Sequence, residues 1–93
     1  HNPFISLFEN GHGTLGFRDN LNLFDQILVS KPLTNKDYSS YQLYKSGIFN
    51  PSYLTQKKGK HKGYPFRRWS QNNTFTGGYS DHYAVYVYLI KEL

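Results

Sequence analysis

The chain contains no cysteine, which excludes disulfides and thiolate metal sites but leaves the redox compartment undecided. It has no uninterrupted apolar run long enough for a membrane-spanning helix. No basic stretch leads into an apolar one, so these residues show no targeting leader. Helical spacing of apolar residues is nearly absent. Acidic residues are missing from the whole interval between Asp37 and Asp81, where Lys45, Lys57, Lys58, Lys60, Lys62, Arg67 and Arg68 collect. Such a positive surface concentrates phosphate-bearing ligands by long-range attraction. A solvated basic loop without a ligand has the same composition, and both readings stay open.

What is present is aromatic. Nine Tyr, seven Phe and one Trp among 93 residues bury much area per residue and argue against disorder. At this length one small domain is the most the chain can form, with a modest core. It begins at His1 rather than Met, and its last apolar run stops just before the C-terminus. We therefore expect residues 1–93 to be one partial domain, with any export signal lying outside them.

Residues 1–16 read as a short helical turn or irregular entry followed by a glycine-punctuated loop. Leu15 to Arg18 reads as a short strand, and Asp19-Asn20 as a turn. Residues 23–30, Leu-Phe-Asp-Gln-Ile-Leu-Val-Ser, read as a strand ended by Lys31-Pro32. Residues 41–45 alternate as an edge or half-buried strand ending near Gly47. From 48 to 79 the period is lost, which marks a binding element or a segment packed against other structure. The run 83–90 is apolar on both faces, as a central strand covered on both sides would be. The chain has too little other structure to cover both faces, so a further layer is expected.

Two features carry possible chemistry. Strand parity places Asp25 on the face of Ile27 and Val29, where a carboxylate is costly unless paired. Arg18 and His82 are the candidate partners. If residues 23–30 and 83–90 were neighbouring strands, Asp25 would accept a ring N–H of His82, fix its tautomer and leave the other nitrogen for a substrate. The alternative is an Asp25–Arg18 pair with an exposed Asp-His turn. Asp81 projects to the opposite side of an extended chain and would bind a divalent cation or orient water, unless Ser80 and Asp81 merely cap the turn after Gly77-Gly78. His1, His12 and His61 show no metal-ligand spacing. No glycine-rich phosphate loop, Gly-x-Ser-x-Gly elbow or paired-histidine zinc motif is present.

The second feature is the segment 57–69, which interleaves bases with aromatics. Cations beside stacking rings suit nucleic-acid contact, with Lys60, Lys62, Arg67 and Arg68 as candidate substrate contacts. Equally, Tyr64, Phe66 and Trp69 would tuck the segment onto the sheet while the cations face water.

Together, Leu23-Phe24-Asp25-Gln26-Ile27-Leu28-Val29-Ser30, the segment 60–67 and Gly77-Gly78-Tyr79-Ser80-Asp81-His82-Tyr83 resemble the C-terminal part of the endonuclease/exonuclease/phosphatase superfamily, and its bacterial members most. The resemblance covers nearly the whole chain. It implies an α/β (α+β) four-layer sandwich of the deoxyribonuclease I-like type, of which these residues form a mainly antiparallel β part with long loops. It also implies Mg²⁺- or Mn²⁺-dependent phosphoester hydrolysis by direct attack of water. His82 resembles the histidine that contacts the scissile phosphate, Asp25 the carboxylate that orients it, and Asp81 the acid that holds metal or positions water. Ala84 replaces a frequent proline and Gln26 a frequent tyrosine. The family's asparagine and glutamate metal ligands and its Asp-x-Asn pair have no counterpart here.

The expected function is thus the C-terminal part of a metal-dependent phosphodiesterase or phosphatase, inactive alone. Its substrate would be a nucleic acid or a phosphorylated lipid or small molecule, and its completing partner the N-terminal half of the domain or another chain. The alternative is a small basic β-rich nucleic-acid-binding module without catalysis. A third reading is an interaction fragment whose sheet pairs with another chain.

Overall fold

The computed structural model describes residues 1–17, 20–69 and 74–93. Helix α1, Ile5–Glu9, is a single short stretch. It ends in a Schellman-type closure, with the Gly11 N–H donating to the Phe8 carbonyl and the His12 N–H to the Leu7 carbonyl. Gly11 takes the left-handed φ of 87° that this closure needs. The expected helical entry and glycine loop are present.

Strand β1, Leu15–Phe17, pairs antiparallel with β2, Asn20–Asn22. Asn20, expected in a turn, therefore belongs to a strand. Arg18 and Asp19 lie outside the described residues, and with them the proposed Asp25–Arg18 pair.

Residues 23–30 do not form the expected strand. No ladder runs along them, yet their burial alternates as a strand would. Leu23 and Val29 are buried, while Phe24 and Leu28 are 63% and 71% exposed. Other groups take the ladder's place. The Phe24 and Asp25 N–H groups donate to Thr14 Oγ1, and Val29 exchanges backbone bonds with His1.

Strands β3, Gln42–Phe49, and β4, Ala84–Ile90, form the second antiparallel sheet. β3 was expected to end near Gly47 but runs on to Phe49. The glycine is a seat rather than a stop, because the ring of Tyr86 lies where its Cβ would be. A bulge between Leu43 and Lys45 leaves Tyr44 67% exposed. Among the described strands β4 has β3 as its one partner. Tyr88, Leu89 and Ile90 are 55%, 41% and 38% exposed, so the covered central strand read from the sequence is here half of a bare ribbon.

The described residues between 48 and 79 carry more pairing than their lost period suggests. A 3₁₀ turn at Ser52–Leu54 leads into an arm closed by the Thr55↔Pro65 bridge and by two bonds between Gln56 and its partners Tyr64 and Gly63. A second pairing joins Trp69 to Phe75. Ladders this short cannot impose an alternation on the sequence.

Among the described residues the buried apolar core is small: Phe4, Leu23, Val29 and Tyr83. The surface of 6900 Å² is roughly a quarter more than the ~5,600 Å² of a compact monomer of this mass. The radius of gyration is 16.1 Å, against about 12 Å for a compact chain of this length. The structure is thus one of antiparallel strands with little helix and much uncovered apolar surface.

Candidate active site

Thr14 stands between Gly13 and β1 and is fully buried. Its N–H donates to the Asn22 carbonyl at 2.9 Å, and its carbonyl accepts the Tyr83 N–H at 2.8 Å. Its hydroxyl oxygen accepts the N–H groups of Phe24 and Asp25, each at 3.2 Å. An antiparallel bridge pairs Leu15 with His82. Two segments far apart in sequence are therefore registered on the entry to one short strand.

This registration brings Asp25 and His82 together. His82 Nδ1 lies 2.6 Å from Asp25 Oδ2, with the side chains 41% and 38% exposed. The contact read from the sequence is present, although neighbouring sheet strands do not create it. Partial burial pushes the Asp25 carboxyl up. Hydrogen bonds from His82 and Thr14, together with the His82 charge, outweigh this and hold it below its ordinary value. Asp25 is therefore ionised at neutral pH and accepts only, so Nδ1 donates. Nε2 is left as the ring nitrogen that Asp25 does not engage.

Around this pair the other candidates separate. Ser80 Oγ accepts the His82 N–H at 3.1 Å, which shapes the turn directly before the histidine. Asp81 is exposed. Arg67 is committed: its Nη2 donates to the Gly16 carbonyl at 2.9 Å, one residue along β1 from the partner of His82. Arg68 sits 6.0 Å from the centre of the Phe75 ring. Lys60 and Lys62 occupy the tip of the 55–65 arm, where Lys57 and Lys58 are exposed as well.

Of the aromatic anchors read from the sequence, one serves and one does not. Tyr64 serves, since its ring fills the space beside Gly16 where a Cβ would go. Trp69 does not tuck onto a sheet; it is 54% exposed and packs edge-on against Phe75, 5.1 Å between centroids. His61 stacks on Tyr64, with 5.2 Å between ring centroids.

Three residues complete the site's frame, and sequence reasoning passed over two of them. Thr14 registers the pair, and Ser80 shapes its turn. Tyr83, 2% exposed, ties that pair to the basic arm, its hydroxyl bonding Thr55 Oγ1 at 2.7 Å and donating to the Gly63 carbonyl at 3.1 Å. The one local mark of Thr14 is a hydroxyl between a glycine and the first apolar residue of a strand, too slight to single it out. Tyr83 carried none, because Tyr79, Tyr86 and Tyr88 stand close by in the sequence.

Among the described residues no three acidic, imidazole or thiol groups converge as a metal centre. No helix of the described residues is long and apolar enough to cross a membrane. No curated protein and no solved structure matches the chain. The model of the endonuclease/exonuclease/phosphatase family matches residues 1–91.

Proposed function

For a chain that belongs to the endonuclease/exonuclease/phosphatase family, we propose that the Asp25–His82 pair forms one wall of a phosphoester-hydrolase site. The single observation that carries this reading is the 2.6 Å contact between Nδ1 and the Asp25 carboxylate. Asp25 holds Nδ1, so that Nε2 faces a non-bridging phosphoryl oxygen and, where it carries a proton, stabilises the charge that grows there. Asp81, on the other side of the chain at the same rim, orients the attacking water. The exposed lysines of the basic arm, Lys60 and Lys62 among them, draw the phosphate-bearing substrate in. Arg67 shapes the floor of the site rather than gripping substrate, because its guanidinium holds the Gly16 carbonyl. Arg68 remains a contact at the margin.

Family members are typically dependent on a divalent metal. The donor set described here does not fit one: Asp81 is a single carboxylate, and the Asp25 carboxylate is taken by His82. The ligands for Mg²⁺ or Mn²⁺ would come from another segment or chain. The uncovered faces of the β3–β4 ribbon are where that partner, and the further layers of a four-layer sandwich, would pack. On this reading the 93 residues alone do not turn over substrate.

A competing reading, simple nucleic-acid binding by the basic arm, makes a different prediction. Binding of a short fluorescent oligonucleotide is measured across salt and Mg²⁺ concentrations, with His82→Ala and a Lys60→Ala/Lys62→Ala variant. The hydrolase site predicts that His82→Ala weakens binding. Loss confined to the lysine variant, with His82→Ala silent and a steep salt dependence that ignores Mg²⁺, would establish the binding module instead.

A further inference from the structure

We propose that Thr14 is the positioning residue of the site, a single buried residue whose side chain holds the Asp25 segment and whose backbone carbonyl holds the His82 segment, so that the two stay in register. The inference rests on the hydrolase reading for its functional meaning, but its geometry stands independently. Asp25 and His82 are 57 residues apart in sequence, and no continuous ladder joins their segments. What joins them is Thr14. Its carbonyl takes the N–H of Tyr83, next to His82, while its hydroxyl takes the N–H of Asp25 and of Phe24 before it.

A threonine hydroxyl offers one donor and two acceptor lone pairs. Two N–H groups fill the lone pairs. Both acceptor positions of Oγ1 are thus spent on the Asp25 segment. Serine preserves both bonds. Valine preserves the volume and loses both, leaving two half-buried N–H groups without their acceptor.

The test uses the 93-residue chain labelled with ¹⁵N, in the absence of any phosphate. The readouts are the downfield Nδ1–H proton of His82 and its ring ¹⁵N pattern, which report the tautomer held by Asp25. Thr14→Ser should keep both signals, and Thr14→Val should lose the downfield proton while retaining the fold. A residue that merely fills space would leave the signals unchanged in Thr14→Val, and that result would overturn the proposal. If Thr14→Val does not fold, amide exchange at Phe24 and Asp25 decides the matter. Protection in both the unaltered chain and Thr14→Ser supports the clamp; fast exchange in the unaltered chain refutes it. Failure of the hydrolase reading would look different, as a chain whose His82 signals obey these rules but ignore phosphodiesters.

Discussion

Tyr83→Phe isolates one atom that links the candidate site to the basic arm. The ring stays in its buried place, so the hydrophobic contribution cancels between the two proteins. What is lost is a hydroxyl bonded to Thr55 Oγ1 at 2.7 Å and to the Gly63 carbonyl at 3.1 Å. Two neutral hydrogen bonds contribute about 1 kcal/mol each, and a partner left buried without one costs more than a partner that rehydrates. Gly63 is exposed and its carbonyl recovers water, whereas the Thr55 hydroxyl is only half exposed. The expected loss is therefore about 1–2 kcal/mol, or roughly 5–15 °C in Tm for a domain of this size. Thermal unfolding followed by circular dichroism reads the magnitude. Amide exchange at Gln56 and Gly63, whose N–H groups close the arm, should accelerate in the variant before global unfolding does. An unchanged Tm with unchanged exchange at both amides would refute the assignment of Tyr83 as the tie.

Three further outcomes are expected. Asp25 has a lowered folded value, so its contribution to stability is present above the ordinary carboxylate range and disappears as pH falls from that range through the folded value beneath it. Denaturant midpoints of the unaltered chain and Asp25→Asn should accordingly differ modestly at pH 7, given the exposure of the pair, and converge in acid. Gly47→Ala places a methyl into the Tyr86 ring and should destabilise the β3–β4 ribbon by about 1–3 kcal/mol, read by urea unfolding, with the Asp25–His82 signals unaltered. The 93-residue chain should show no Mg²⁺-dependent hydrolysis of bis(p-nitrophenyl) phosphate; turnover abolished by His82→Ala would show that no completing partner is required.

How far the sequence foretold this arrangement varies by residue. Strand parity put Asp25 on one face with Ile27 and Val29, and that is the more buried face, because extended backbone alternates whether or not a ladder forms. The pairing was not legible, since the acceptor of the Phe24 and Asp25 N–H groups is a side chain about ten residues earlier rather than a strand. The Asp25–His82 contact was legible from the cost of leaving a carboxylate unpaired on an apolar face. Its cause, Thr14, was not, because one hydroxyl leaves no periodic trace. Gly47 misled for a related reason: glycine ends a strand and also admits a ring against it, and only the opposing Tyr86 decides which. The run 83–90 reads as a covered strand because its composition answers to both faces of a sheet, while among the described residues only β3 pairs with it.

The most direct measurement is the response of the His82 ring to a phosphodiester. Dimethyl phosphate is titrated into the ¹⁵N-labelled 93-residue chain, and the imidazole resonances are followed in the unaltered protein and in Asp25→Asn. An Asp25-held His82 facing a phosphoryl oxygen predicts a saturable shift of the ring signals, weakened about tenfold in Asp25→Asn, which corresponds to about 1.4 kcal/mol. A silent His82 ring in the unaltered protein, with shifts confined to the lysines of the 55–65 arm, would contradict it.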